Sequence, residues 1–204
     1  MDGMTTPFEL MQQRDLEVEQ LRFANEWLFP WHSLNVEGRI VDVDRFDGGR
    51  IRVGGFVFGD QLQLIFWQAV ERYFDQKIHS VLQKWDRETM SYPAEQRLSS
   101  LSGTERLLDI FVAGVMGRAA RTDQVLRGRG NESVDVPMKG AAAHSHARAE
   151  IIRLAEAHRA LLLVEETKMR RSDLGRIIDA ISFKPGLWGL SIDLKKLFRK
   201  GGQK

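Results

Sequence analysis

Between Asp60 and Trp85 apolar residues recur every three or four positions, at Leu62, Phe66, Ala69, Val70, Tyr73, Phe74, Ile78, Val81 and Trp85. That spacing stacks them on one face of a helix and leaves Gln61, Gln63, Gln68, Glu71, Arg72, Gln76, Ser80 and Lys84 on the other. Asp60 is placed to cap the first turn, and Gln63 completes a capping box with it. The pattern predicts a long central helix over about 60–87, with enough aromatic surface to organise a core.

The same period marks further helices. Thr6-Pro7-Phe8-Glu9 combines an N-cap, a proline suited to the first helical position and a box-closing Glu. This first helix is expected to run to about Leu28, to bury Leu10, Leu21, Ala24 and Leu28, and to stop before Pro30. After a break at Ser91-Tyr92-Pro93, Ser102-Gly103-Thr104-Glu105 reads as another capping box. It opens a strongly apolar helix with Leu107, Leu108, Phe111, Val112, Val115, Met116 and Ala119 inward. Ala113, Gly114 and Gly117 leave little side chain there, so that another backbone can come close.

A helix from about Ala141 to Met169 carries Ile151, Leu154, Leu161 and Leu162. Its run Ala160–Val164 also suits a buried strand, and the helical flanks decide for helix. Ser172 caps a shorter helix with Leu174, Ile177, Ile178 and Ile181, which Lys184-Pro185-Gly186 ends. Ser191 starts a last one.

One β signal interrupts this pattern. Arg39–Arg45 and Arg50–Phe58 are short, rich in Ile, Val and Phe, and flank Asp47-Gly48-Gly49. Val41 and Val43 must share a face with Ile51 and Val53. A three-residue loop satisfies this by pairing Val43 with Val53 and Asp44 with Arg52, and puts Gly49 in the left-handed position. Gly54-Gly55 suggests a bulge or bend. A lone hairpin is marginal in water and needs a helix beneath it. The expected fold is therefore mainly α: five to six helices with one β-hairpin, at about residues 39–58, packed on the 60–87 helix. Periodicity lapses from Arg127 to Gly140. The chain is thus expected to divide into a helical body with the hairpin (1–127), a loop or linker (128–140) and a helical C-terminal part (141–204), together able to form one continuous domain.

Composition changes this picture little. A hydrophobic content of 43% and a charged content of 28% are those of an ordinary globular chain. The absence of cysteine excludes disulfides, thiolate metal sites and a Cys nucleophile, and it suits a reducing, cytoplasmic setting. MDGMTTPFEL has no basic segment leading into an apolar run, so no secretion signal is expected. The apolar run Leu107–Gly117 is too short to span a bilayer and contains Asp109. Charge matters more. The net value of +2 divides into +7 over residues 167–204, from ten Lys/Arg against three Asp, and −5 over the rest.

Four groups of residues are candidates for chemistry. His144, His146, Glu150 and His158 offer imidazole and carboxylate donors that would suit zinc or iron, although their spacing matches no metal motif. Asp42, Asp44 and Asp47 lie near Arg50 and Arg52. Asp42 and Asp44 share one strand face as paired acids of a nuclease or hydrolase would, and cross-strand salt bridges explain them equally. Arg118, Arg121, Arg127 and Arg129 could contact phosphate through their planar forks, or simply sit at a solvated helix end. In the tail, Trp188, Leu194 and Phe198 supply apolar area ringed by Lys195, Lys196, Arg199 and Lys200. No P-loop, nucleophile elbow, dinucleotide fingerprint or RNP motif occurs.

These readings predict a non-enzymatic accessory or adaptor protein without a cofactor. It would assemble with a macromolecular partner through its basic C-terminal third, using Trp188, Leu194, Lys195, Lys196, Phe198, Arg199 and Lys200. The expected partner is a protein or a second copy of the chain, followed by nucleic acid and then a membrane surface. One alternative is nucleic-acid binding through Arg118–Arg129 and the tail. Another is a metal-dependent hydrolase built on the histidines or the hairpin aspartates.

Overall fold

Proline lacks the N–H that an α-helix bonds to the carbonyl four residues back, so Pro30 should end the first helix. In the computed structural model, helix α1 (Pro7–Arg22) instead widens into a π segment (Phe23–Leu28) and re-forms as α2 (Phe29–Ser33). The Phe29 N–H reaches the carbonyl of Ala24, five residues back. Pro30 then falls in the first turn of a new α segment, where its missing donor costs nothing. The structure describes the backbone of residues 7–33, 40–54, 60–127 and 136–182, with side chains except at 33, 54, 60, 136–138 and 168–182. Thr6, the expected cap, lies outside these residues.

Helix α3 (Asp60–Thr89) matches its predicted face. Phe66, Ala69, Val70, Tyr73, Phe74, Ile78 and Trp85 are buried, and Trp67 and Leu82 join them. Helix α4 (Ala94–Arg127) starts directly after Pro93, eight residues before the expected capping box. Ser102-Gly103-Thr104-Glu105 marks a helix crossing instead. Ser102 Oγ bonds the Leu98 carbonyl at 3.3 Å, as a mid-helix serine does. A Cβ on Gly103 would collide with the Glu9 carboxylate of α1. Thr104 Oγ1 meets Gln12 Oε1 at 2.9 Å and the Ser100 carbonyl at 3.0 Å. At Gly114 the close neighbour is the Gln20 side chain, whose amide donates to the Phe111 carbonyl at 3.3 Å, rather than another backbone.

The inner face of α1 is thus partly polar, and this reverses two expectations. Leu10 and Leu21 are 55% and 53% exposed, whereas Gln12, Leu16 and Phe23 are buried. Leu28 is buried as expected.

Strands β1 (Ile40–Asp44) and β2 (Arg50–Gly54) form the antiparallel hairpin. Val43 and Val53 are buried, with Val41 and Ile51 partly so, which confirms the predicted face. The register differs by two residues: Val43 pairs with Ile51, Asp42 with Arg52 and Asp44 with Arg50. A shift of two keeps every side chain on its own face, so face matching could not discriminate between the registers. The loop decides. It runs from Arg45 to Gly49, closed by Arg45 N–H on the Gly49 carbonyl at 3.0 Å. Its left-handed residues are Phe46 (φ 56°) and Gly48 (φ 82°), not Gly49. This places the Phe46 ring 5.5 Å from Trp27 and 5.1 Å from Tyr73. Arg72 and Gln76 of α3 hold the loop through Asp47 Oδ2 at 2.8 Å and the Phe46 carbonyl at 2.6 Å.

Helix α5 (Val136–Ser182) absorbs residues 136–140, which were expected in the connecting loop, and makes one helix of the two expected on either side of Ser172. The described residues therefore contain four helical rods rather than five or six, counting α1, the π segment and α2 as one. The predicted helix from Ser191 lies outside them. Ala143, Ala147, Ile151, Ala155 and Leu162 are buried, whereas Leu161 is 61% exposed. Polar contacts flank the buried stripe: His146 Nε2 meets Asp75 Oδ1 of α3 at 2.9 Å, and Arg148 and Arg159 form ion pairs with Asp109 and Glu105 of α4 (3.4 and 2.5 Å). The chain falls into two units, Met1–Leu162 and Leu163–Lys204.

The polar crossing of α1 and α4 yields a test. Thr104→Val leaves buried Gln12 without its partner and should destabilise by about 1–3 kcal/mol in urea denaturation. Adding Gln12→Leu should recover much of that loss, because removing both partners spares the desolvation cost.

Candidate functional site

Small residues at three- and four-residue spacing on α4, Ala113, Gly117 and Ala120, leave a hollow in the helix surface. With the start of α5 beside it, the hollow becomes an open cleft of about 460 Å³. Trp67 of α3 and Met116 of α4 supply most of its apolar bulk, and Gly140, Ala141 and His144 come from α5. A Cβ on Gly117 would meet nothing within 4 Å. Gly140 is fitted differently: a Cβ there would come within 3.2 Å of the six-membered ring of Trp67.

The polar side chains of the cleft are His144, Asp123 and Arg127, the last two one helical turn apart. Asp123 is 1% exposed. Its Oδ1 accepts from Gln63 Nε2 at 2.8 Å and its Oδ2 from Arg127 Nε at 3.2 Å. Burial raises the Asp123 pKa, opposed by the Gln63 hydrogen bond and the charges of Arg127 and Lys139. Gln63 Oε1 and Trp67 Nε1 are also buried, with no hydrogen-bond partner among the described residues. The cleft therefore combines an apolar wall, a guanidinium bonded through one nitrogen among the described residues and a carboxyl whose charged form is disfavoured.

Sequence reasoning placed His144 and Arg127 among its candidates but in different groups; the fold brings both to this cleft. It missed Asp123 and Trp67 and put Gln63 on the solvent face as a capping residue, whereas Gln63 is 1% exposed. The available signals were two i, i+4 pairs, Gln63 with Trp67 and Asp123 with Arg127. Nothing local joins them across sixty residues.

The histidine group is divided. His146 pairs with Asp75 at 2.9 Å, and Glu150 lies beside Arg153 and 3.7 Å from His79. The Arg153 hydrogen bond leads the causes that hold the Glu150 pKa below its usual value. His158 instead meets Trp85 edge-on at 5.3 Å. Among the described residues, no group of three His, Asp or Glu side chains is placed to hold a metal ion.

Asp42 and Asp44 are committed to their own strands and turn, and Asp47 to the turn and to Arg72 of α3. Asp42 pairs with Arg52 at 3.2 Å in place of the expected Asp44–Arg52 pair, and Asp44 Oδ1 accepts from the Phe46 N–H at 2.7 Å. The Gly49 N–H first, then Arg45 and Arg72, holds the Asp47 pKa down. Arg118 is half-buried, and Arg121 Nε bonds the Gly117 carbonyl at 3.1 Å. Arg129 and the tail residues Trp188, Leu194, Lys195, Lys196, Phe198, Arg199 and Lys200 lie outside the described residues.

In comparisons with known proteins, no family model, curated protein or solved structure matches the chain. No helix among the described residues is long and apolar enough to cross a membrane.

The raised Asp123 pKa means that the folded state binds this proton more tightly than the unfolded chain does. Its contribution to stability must fall as pH rises from the unfolded carboxylate value, about 4, through the folded one. The Tm of Asp123→Asn minus that of the parent should therefore increase between pH 4 and pH 7 in thermal melts. A difference independent of pH would show that burial does not control this carboxyl.

Proposed function

We propose that the chain is a non-enzymatic accessory protein whose helical body carries its C-terminal third to a macromolecular partner. The observation that carries this reading is the extent of α5. Its last buried described residue is Leu162, yet the helix continues to Ser182, and Leu163 and Val164 are 53% and 49% exposed. The sequence beyond sets Leu174, Ile177, Ile178 and Ile181 at helical spacing within the +7 segment. Long isolated helices owe most of their stability to a packed face, so an apolar stripe at helical spacing within a basic segment supports the reading of a face that a partner covers. A protein partner suits this apolar-basic pattern best, because phosphate recognition alone would not need the apolar residues.

Removing residues 185–204 tests the reading. The shortened chain should melt within about 2 °C of the parent, a change below 1 kcal/mol. It should also lose the cross-links that Lys195, Lys196 and Lys200 form with a protein in extracts of the native host. A Tm loss of about 10 °C would assign the tail to the core and overturn the proposal. Tail-dependent oligonucleotide binding that falls log-linearly with salt, without a protein cross-link, would replace it with nucleic-acid binding.

A further inference from the structure

We infer that the α3–α4–α5 cleft is a binding site for a small amphipathic carboxylate, with an apolar body and one anionic end. The site needs no contribution from the C-terminal tail and is independent of the docking role proposed above. Its volume of about 460 Å³ lies in the range of small-molecule sites, roughly 300–1,000 Å³.

The apolar body is specified by the wall. Trp67 offers an indole, Met116 a polarizable thioether, and Ala113, Gly117 and Ala120 a shallow floor against which a planar or narrow group can lie. The anionic end is specified by the charges. Among the described residues Arg127 bonds Asp123 through Nε, and the terminal nitrogens of its fork can serve a second acceptor. Arg127 and Lys139 both act electrostatically on Asp123, so positive charge predominates beside this buried carboxyl, which favours an anionic ligand group. A cationic ligand group would be repelled by the same guanidinium.

Gly117 provides a substitution that separates binding from folding. Because a Cβ there meets open space, Gly117→Leu should fill the cleft without disturbing the core, and replacing a helical glycine favours the helix. The experiment uses the full-length ¹⁵N-labelled chain and follows the indole N–H resonances while 2-naphthoate, decanoate or 2-naphthamide is added. At least one of the two carboxylates should shift the Trp67 indole signal saturably. The amide should bind at least tenfold more weakly than 2-naphthoate, and Arg127→Gln should weaken carboxylate binding roughly tenfold through loss of a charged hydrogen bond. Gly117→Leu should abolish the shift while keeping the parent Tm.

Absence of a saturable shift with either carboxylate at 1 mM would overturn the proposal, as would binding that survives Gly117→Leu. Equal affinity for 2-naphthamide and 2-naphthoate would overturn the assignment of an anion. If Arg127→Gln fails to fold, Lys139→Gln, which removes the other cation acting on Asp123, takes its place, and carboxylate affinity unchanged in that variant would overturn the same assignment.

Discussion

Trp27 is the residue on which the arrangement of the N-terminal half depends. Its ring lies 5.0 Å from Phe23, 5.8 Å from Trp31, 5.5 Å from Phe46 and 5.3 Å from Phe66. Its Nε1 donates to the Asp44 carbonyl at 2.8 Å. One side chain therefore joins the first helical rod, the hairpin and the central helix. Two local costs are borne here, the π segment and the left-handed backbone of Phe46, the latter of order 1–3 kcal/mol. Aromatic pairs contribute about 0.5–1.5 kcal/mol each beyond the area they bury, and among the described residues Phe46 makes two, with Trp27 and Tyr73. A two-stranded hairpin would not persist without this support.

The helices are held in register by polar groups as well as apolar ones. Thr104 and Gln12 meet inside the α1–α4 crossing, Gln63 and Asp123 between α3 and α4, and the Trp85 indole donates to Ser100 Oγ at 2.9 Å. Apolar faces alone tolerate sliding by a turn. A slip of α3 against α4 would leave Asp123 buried without its amide donor, at a cost of about 1–3 kcal/mol or more for a charged group. These contacts select one packing arrangement rather than simply adding stability.

The cleft and the surface of α5 follow from economy of side chains. Alanines at positions 143, 147 and 155 supply much of the buried stripe of α5. The ion pairs that flank it, from Arg148 and Arg159, are partly or largely exposed, each contributing about 0–1 kcal/mol, and orient the helix more than they hold it. Where α4 turns small residues toward α5, there is too little side chain to close the gap, and a hollow remains above Trp67 and Asp123.

Local pattern was enough to locate α3 and its buried face, the break at Pro93, the inward residues of α4 and the paired faces of the hairpin. Each depends on a period of two or of three to four residues that the chain displays directly. Helix ends and registers were a different matter. Pro30 did not stop the first helix, because a π segment moved its hydrogen bonds. Ser102–Glu105 did not start one, because Gly103 and Thr104 serve contacts with Glu9 and Gln12, more than ninety residues away. The hairpin register followed the need to seat Phe46 between Trp27 and Tyr73. The Gln63–Asp123 pair and the cleft above it exist only once α3, α4 and α5 are side by side, since a hydrogen bond between distant residues leaves no period in the sequence. Periodicity determined which faces are buried; tertiary contact decided what those faces meet, because burial is a property of each residue's neighbours in space and not of its place in the chain.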